Sequence, residues 1–178
     1  MKGIFVGCSS SDNAIAKYGE YAAELGRLIA GKGYNLVFGG SYNGLMGLVS
    51  RVAANGGSNV IAIISKAYAN DTPEYCSEVI STETLSERKH KMIEKSASFI
   101  FLPGGIGSLD EIFTIIETKR AKEHNKSIII VNINGYYDDL IKQINSIVSE
   151  GFAKESDLQL FYVTDNVESA VKYLENYN

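Results

Sequence analysis

The segment of this 178-residue chain with the clearest chemical potential is LPGGIGSLDE, at residues 102–111. Its three glycines, which precede an expected helix, are Gly104, Gly105 and Gly107. The free N–H groups and the dipole of a helix start favour a bound phosphate, and glycines let that phosphate approach the backbone. Glu111 adds a carboxylate that can act as a base or stabilise positive charge. One alternative stays open, because Ser108 and Glu111 also have the spacing of a capping box.

Two adjacent cations, Arg88 and Lys89, occupy an expected helix further upstream. They fill the i+3 and i+4 positions of a helical stripe whose other members are Leu85, Met92, Ile93 and Ser96. Burying an unpaired charge is costly, so the pair is predicted to face an anionic ligand, and Arg binds phosphate bidentately. The alternatives are that both side chains reach the surface or that another face points inward. Thr84 and Glu87 form a possible capping box at the start of this helix.

Two further loops are small, polar and rich in glycine. The first is GCSSSD at residues 7–12, whose N–H groups and hydroxyls suit an anion, although Ser11 or Asp12 could simply cap a helix. The second is GGSYNGLMG at residues 39–47, which matches neither the Walker pattern nor the dinucleotide fingerprint. Its four glycines predict backbone pressed against a ligand, and a tight strand-to-helix turn is the alternative.

The elements that must position these loops alternate between short apolar runs and amphipathic stretches. The predicted strands are residues 4–6, 36–38, 60–64, 99–102, 128–131 and 160–163, with 79–80 as a short extra strand. The predicted helices are residues 15–29, ended by Gly31 and Gly33, then 45–54, 85–97, 109–123, 137–150 and 167–176. Continuous apolar strands are typical of a parallel sheet covered on both faces. We therefore expect residues 1–178 to form one α/β domain, a Rossmann-like doubly wound parallel sheet with helices on both faces.

Composition narrows the classes of function. The net charge is −4 with no basic run, which argues against a nucleic-acid-binding surface. Two cysteines without a Cys-x-x-Cys pair and two histidines make a structural zinc site unexpected, so no metal is predicted. No apolar run approaches the roughly 20 residues that span a bilayer, and no signal peptide precedes the first strand. These features predict a reduced, cytoplasmic protein with no membrane partner.

Taken together, the motifs resemble the LONELY GUY family, also recorded as lysine-decarboxylase-like proteins. The family pattern PGGxGTxxE is similar to residues 103–111, with Ser108 in place of Thr, and ERKxxM is similar to residues 87–92. GGxxxGLMG is similar to residues 39–47, and NxxGYY to residues 132–137. The opening GxSS of the family is also present, at Gly7, Ser9 and Ser10.

The resemblance implies a Rossmann-like phosphoribohydrolase, which releases a free base and ribose 5-phosphate from a nucleoside 5′-monophosphate. Cytokinin riboside monophosphates are the best-known substrates of the family, and AMP is a common relative. Arg88 and Glu111 match the family's catalytic pair. The resemblance also implies a homodimer, without cofactor or metal. The residues expected to bind the substrate or its phosphate are Ser9, Ser10, Gly39, Gly40, Gly44, Met46, Lys89, Gly104, Gly105, Gly107 and Ser108.

The chain departs from the family pattern in three places. A Trp-x-Gln-Leu-Gly segment corresponds to TKRAK at residues 118–122, a His is replaced by Leu85 or Ser86, and a glycine is replaced by Ser41. These changes spare the phosphate and catalytic motifs and concern the base and the dimer surface. A carrier that binds a nucleotide or cofactor without catalysis, or a ribosyl transferase, remains the competing interpretation. A decarboxylase would need a cofactor such as pyridoxal phosphate, and no lysine has a convincing setting for one.

Overall fold

The structure, a computed structural model, describes residues 2–66 and 72–177 and contains one parallel sheet of seven strands. The strands are β1 (Gly3–Gly7), β2 (Asn35–Phe38), β3 (Val60–Ser65), β4 (Glu78–Thr82), β5 (Ser98–Phe101), β6 (Ser127–Val131) and β7 (Tyr162–Thr164). Their order across the sheet is β4-β3-β2-β1-β5-β6-β7, and every pairing is parallel. The predicted doubly wound α/β fold is confirmed.

In its described residues the chain has six α-helices, of which five lie between strands and the sixth follows β7. They are α1 (Ile15–Gly31), α2 (Gly44–Asn55), α3 (Leu85–Lys95), α4 (Ile106–Arg120), α5 (Asp138–Ser149) and α6 (Val167–Tyr177). Helix α4 begins three residues earlier than predicted, and β7 begins two residues later. In the described part of the chain, no helix combines the length and apolar character that crossing a membrane requires.

The core lies on both faces of the sheet, as the continuous apolar runs predict. In β1, Ile4 and Val6 belong to the buried cluster on one face, together with side chains of α1, α2 and α6. The residue between them, Phe5, belongs to the cluster on the opposite face, with Met92 of α3 and Ile112 of α4. Neighbouring residues of one strand are therefore both buried, because helices cover each side of the sheet.

The strand order reverses between β1 and β5, which are hydrogen-bonded neighbours at the centre of the sheet. From β1 the chain proceeds outward through β2 to β4, and from β5 it proceeds outward in the other direction. The loops that leave the carboxyl ends of β1 and β5 therefore diverge. A crevice at this reversal point is where open α/β sheets bind their ligands.

Candidate active site

A cavity of about 580 Å³ opens at the carboxyl ends of the central strands. All of the predicted site residues line this cavity except Gly44 and Gly104. Those that do are Ser9, Ser10, Gly39, Gly40, Met46, Arg88, Lys89, Gly105, Gly107, Ser108 and Glu111. The three loops singled out from the sequence and the helix that carries Arg88 and Lys89 thus meet at one place.

The centre of the cavity holds an ion pair between Arg88 and Glu111. Arg88 Nη1 donates to Glu111 Oε1 at 3.2 Å, and the side chains are 16% and 8% exposed. The same guanidinium donates through Nε to the carbonyl of Ile63 at 2.9 Å and through Nη2 to the carbonyl of Gly39 at 3.2 Å. The alternative in which Arg88 reaches the surface is therefore wrong, because acceptors from β3, α4 and the loop after β2 hold it inside.

Glu111 is a carboxylate whose environment opposes its ionisation. Burial raises its pKa from 4.5 to about 6, while the Arg88 charge and hydrogen bond act in the opposite direction. A carboxylate with a pKa close to the working pH is well suited to accept a proton or to stabilise developing positive charge.

The capping-box interpretation of Ser108 and Glu111 is wrong. Helix α4 starts at Ile106 with Gly105 as N-cap, and no side chain caps it. Ser108 is consequently the third residue of the helix, and Glu111 lies in its second turn. The carboxylate is too far along the helix to reach the N-cap, so it is available to Arg88.

The second predicted capping box is half confirmed at the start of α3. The Thr84 hydroxyl accepts a hydrogen bond from the Glu87 N–H at 3.1 Å, which makes Thr84 the N-cap. The Glu87 carboxylate accepts from the backbone N–H of Glu83 at 2.9 Å, one residue before the N-cap. This fixed start determines which face of α3 carries Arg88 toward the cavity.

Lys89 lines the cavity, but its ammonium group already forms an ion pair with a protein carboxylate. Its Nζ donates to both carboxylate oxygens of Asp110 at 2.8 and 2.9 Å. Asp110 is the more exposed partner, with 53% of its side chain accessible against 21% for Lys89. The pair links α3 to α4 at the rim, one residue from the Arg88–Glu111 pair on each helix.

The glycines before and in α4 have two different functions. A Cβ on Gly105 or Gly107 would meet nothing within 4 Å, so these residues leave the approach to the helix start open. A Cβ on Gly104 would lie 2.1 Å from Ser108 Oγ, so this glycine allows close packing instead. Gly104 therefore packs against Ser108 beside the cavity, while Gly105, Gly107 and Ser108 line it at the start of α4, where helical N–H groups have no partner within the helix.

The loop after β1 is hydrogen-bonded to the start of α2. The backbone N–H of Met46 donates to the carbonyl of Ser9 at 3.1 Å. Asp12 Oδ1 accepts from the N–H of Gly44 at 2.8 Å, and the side chain of Ser11 makes no capping bond. Neither side chain therefore caps the helical segment that follows it, and Asp12 instead accepts from the first N–H of α2.

Among the residues that the structure describes, eight more line the cavity that were not predicted individually as site residues. They are Cys8, Ser11, Ser41, Asn43, Ser65, Leu85, Ile106 and Asp110. Ser65 ends β3, so its position at a strand terminus was a usable signal. Ile106, whose side chain is 87% exposed at the mouth, carried no such signal because an apolar residue at a helix start suggests burial.

Comparison with protein families and curated proteins gives consistent matches. Residues 46–174 match a family model described as "possible lysine decarboxylase". The chain is 35% identical over 179 residues to the cytokinin riboside 5′-monophosphate phosphoribohydrolase LOG1 of Arabidopsis thaliana, covering 99% of this chain and 84% of that protein. It is 36% identical over 176 residues to the phosphoribohydrolase LOG of Oryza sativa subsp. japonica, covering 98% and 73%.

Solved structures share the fold over the whole length. The X-ray structure of the protein TM1055 has a TM-score of 0.78 and 25% identity, covering 99% of each chain. The molybdenum cofactor carrier protein of Chlamydomonas reinhardtii has a TM-score of 0.77 and 19% identity, covering 99% of this chain and 97% of that one. At that identity, the likeness to the carrier protein concerns the fold alone.

Proposed function

This chain belongs to the LONELY GUY family, and from that membership we infer that it is a phosphoribohydrolase of nucleoside 5′-monophosphates. It cleaves the N-glycosidic bond and yields a free base and ribose 5-phosphate. The substrate is a cytokinin riboside monophosphate, as in the names of the curated relatives, or AMP. The reaction needs water and no cofactor or metal.

The observation that carries the proposal is the buried Arg88–Glu111 pair in the cavity beside the start of α4. A phosphate at that start would lie less than two helical turns from the carboxylate, since the rise is about 1.5 Å per residue. A nucleoside monophosphate has comparable separations between its phosphate and its anomeric carbon. The cavity therefore offers an anion site and a carboxylate at a spacing that matches the substrate.

Glu111 acts on the reacting carbon. Breaking the bond between the sugar and the base builds positive charge on the sugar, and the base leaves with the bonding electrons. The Glu111 carboxylate stabilises that charge and orients the water whose oxygen bonds to the anomeric carbon, as carboxylates do in O-glycoside hydrolysis. The proton that this water loses passes through solvent to the departing base, which balances the reaction. Arg88, fixed by its protein acceptors, holds the carboxylate and clamps the phosphate or ribose in the reacting geometry.

The 5′-phosphate binds at the first turn of α4. Gly105, Gly107 and Ser108 supply backbone N–H groups there, and the dipole of the helix favours the negative charge. The small side chains of Ser9 and Ser10, which line the same cavity, orient the sugar and the base.

The proposed assembly is a homodimer of one-domain subunits spanning residues 1–178, located in the cytoplasm. Exposed apolar side chains support the dimer, namely Leu85 and Ile106 at the cavity mouth and Phe113 on α4. Ile106 and Phe113 are seven residues apart, which places them on one face of the helix. A single face with two exposed apolar side chains is suited to contact a second copy.

The test of the proposed function is a chromatographic assay with AMP and isopentenyladenosine monophosphate. Free base and ribose 5-phosphate in equal amounts are expected from one or both nucleotides. Tight nucleotide binding without base release would instead favour the carrier. A product that depends on an added base or alcohol would favour the ribosyl transferase.

A further inference from the structure

Two neighbouring tyrosines contact the segment before α4 from outside the cavity. The Tyr136 hydroxyl donates to the carbonyl of Gly104 at 2.6 Å, and the Tyr137 hydroxyl donates to the carbonyl of Leu102 at 2.8 Å. The carbonyl between them accepts from the backbone N–H of Ser9 at 3.1 Å. Three consecutive carbonyl oxygens, those of residues 102–104, thus accept hydrogen bonds from protein donors.

The Gly104–Gly105 peptide is the part of this segment that is expected to contact the substrate. The peptide is trans, so the carbonyl of Gly104 and the N–H of Gly105 point in opposite directions. Gly104 is buried with its carbonyl directed at Tyr136, whereas Gly105 lines the cavity. The N–H of Gly105 is therefore directed toward the phosphate side. Rotation of this peptide would exchange that donor for a carbonyl oxygen, which repels an anion.

We propose that Tyr136 is a positioning residue that keeps the N–H of Gly105, and not the carbonyl of Gly104, facing the 5′-phosphate of the substrate. The inference rests on the proposed function, because it assigns the phosphate to the first turn of α4. It also gives a purpose to the NxxGYY segment at residues 132–137, which the catalytic pair does not explain.

The local fold holds the Tyr136 side chain in place for this role. Asn134 and Gly135 have positive φ values of 53° and 71°, a sharp turn that delivers the tyrosine to the carbonyl. The Tyr136 ring packs edge-on against Tyr18 at 5.8 Å and against Tyr137 at 4.9 Å between centroids. The ring is braced on two sides, so its hydroxyl has one well-defined direction.

Tyr137 provides a matched control within the same pair. Its hydroxyl binds the carbonyl of Leu102, and the next residue, Pro103, has no N–H. The same hydroxyl also contacts the Gly104 backbone, but its loss leaves the Gly104 carbonyl bound by Tyr136, so the N–H of Gly105 keeps its direction. Tyr137 is buried, so removing its hydroxyl leaves a buried carbonyl unpaired and lowers stability instead.

The experiment compares Tyr136→Phe and Tyr137→Phe, which delete the same atom. In Tyr136→Phe we expect KM for AMP, or for isopentenyladenosine monophosphate if that is the nucleotide cleaved, to rise about 5- to 10-fold, as for the loss of one hydrogen bond. We expect kcat to stay within about twofold, because the donor contacts the phosphate equally in ground and transition states. Inhibition by ribose 5-phosphate should weaken by the same factor, and inhibition by adenosine should not change.

In Tyr137→Phe, KM should stay close to the wild-type value while the thermal midpoint falls. Equal increases in KM in both variants, or an unchanged KM and unchanged ribose 5-phosphate inhibition in Tyr136→Phe, would overturn the assignment. If the wild type releases no base from either nucleotide, the proposed function fails, and calorimetric titration with ribose 5-phosphate then decides the role of Tyr136. Equal affinity of wild type and Tyr136→Phe for ribose 5-phosphate, or no binding of ribose 5-phosphate to wild type, would overturn the positioning role of Tyr136.

Discussion

Arg88 and Glu111 neutralise each other at a place where neither charge could be buried alone. A buried ion pair recovers its desolvation cost only when further hydrogen bonds satisfy both partners. Arg88 has these in the carbonyls of Ile63 and Gly39, so its position is fixed before any substrate arrives. Glu111 has fewer protein partners, which leaves its carboxylate as the reactive member of the pair.

Removing the Glu111 charge tests whether its carboxylate is the reactive member of the pair. Glu111→Gln keeps the side-chain volume and should lower kcat by roughly 100-fold or more, the usual size of a lost general-base or electrostatic contribution. The assay is base release from AMP or isopentenyladenosine monophosphate, whichever the wild type cleaves. Glu117→Gln is the matched control, because Glu117 lies on the same helix and pairs with Arg120 at the surface. Near-normal turnover of a folded Glu111→Gln protein would return Glu111 to a structural role.

The pH dependence of the reaction follows from the same carboxyl group. Burial raises the pKa of Glu111 to about 6, and the ionised form is the active one. Lowering the pH through 6 protonates the group, so kcat/KM should fall about tenfold per pH unit below that value and level off above it. The pH–rate profile of the wild type between pH 5 and 8 measures this. The residual activity of Glu111→Gln should lack the acidic limb, and a limb retained there would assign it to another group.

At the scale of elements, the loops after β1 and β2 support each other through Gly44. This residue has a φ of +62°, and a Cβ there would lie 2.6 Å from the backbone of Ser10. The packing brings Ser9, Ser10 and the start of α2 to the same side of the cavity.

Gly44 is required both for its positive φ and for its close packing, and alanine substitutions at two glycines separate these effects. Gly33 has a similar φ of +70°, but a Cβ there would meet nothing within 4 Å. Gly33→Ala should therefore lower the free energy of unfolding by about 1–2 kcal/mol, the cost of the left-handed conformation alone. Gly44→Ala should cost clearly more and should also raise KM, because the loop after β1 must move. Urea unfolding measures the free energy of unfolding, and steady-state kinetics measure KM. Equal losses of stability in the two variants, with no change in KM, would contradict the packing role of Gly44.

The sequence predicted the strands and most helices because continuous apolar runs and helical stripes directly report which faces are buried. It failed at the start of α4, where Ser108 and Glu111 have the spacing of a capping box but the extended Gly105 already begins the helix. Similarly, nothing local to Arg88 indicates that its acceptors are the carbonyls of Ile63 and Gly39, 25 and 49 residues away in the chain. Such partners follow from the order of the strands, which no single motif encodes.

At the scale of the whole molecule, the face of α4 that exposes Ile106 and Phe113 should determine the association state. Phe113→Glu places a charge on that face, and the side chain is already 43% exposed, so the subunit should still fold. We expect sedimentation velocity to show a dimer for the wild type and a monomer for this variant. Phe152→Glu is the control, since Phe152 is 83% exposed and follows α5. A monomeric wild type, or a Phe113→Glu variant that is still a dimer, would contradict the proposal that this face of α4 forms the dimer interface.

The reversal of strand order between β1 and β5 also has a consequence for synthesis on the ribosome. β1 is made first, yet one of its two neighbours, β5, begins at Ser98, more than half-way along the chain. Until then the nascent chain presents an open edge of the strand that will become central, a surface prone to pair with other chains. The emergence of residues 98–111 closes that edge and delivers the glycines and Glu111 together. Closure of the β1 edge and assembly of the cavity residues are thus a single event in the life of the nascent protein, and it precedes the synthesis of β6 and β7.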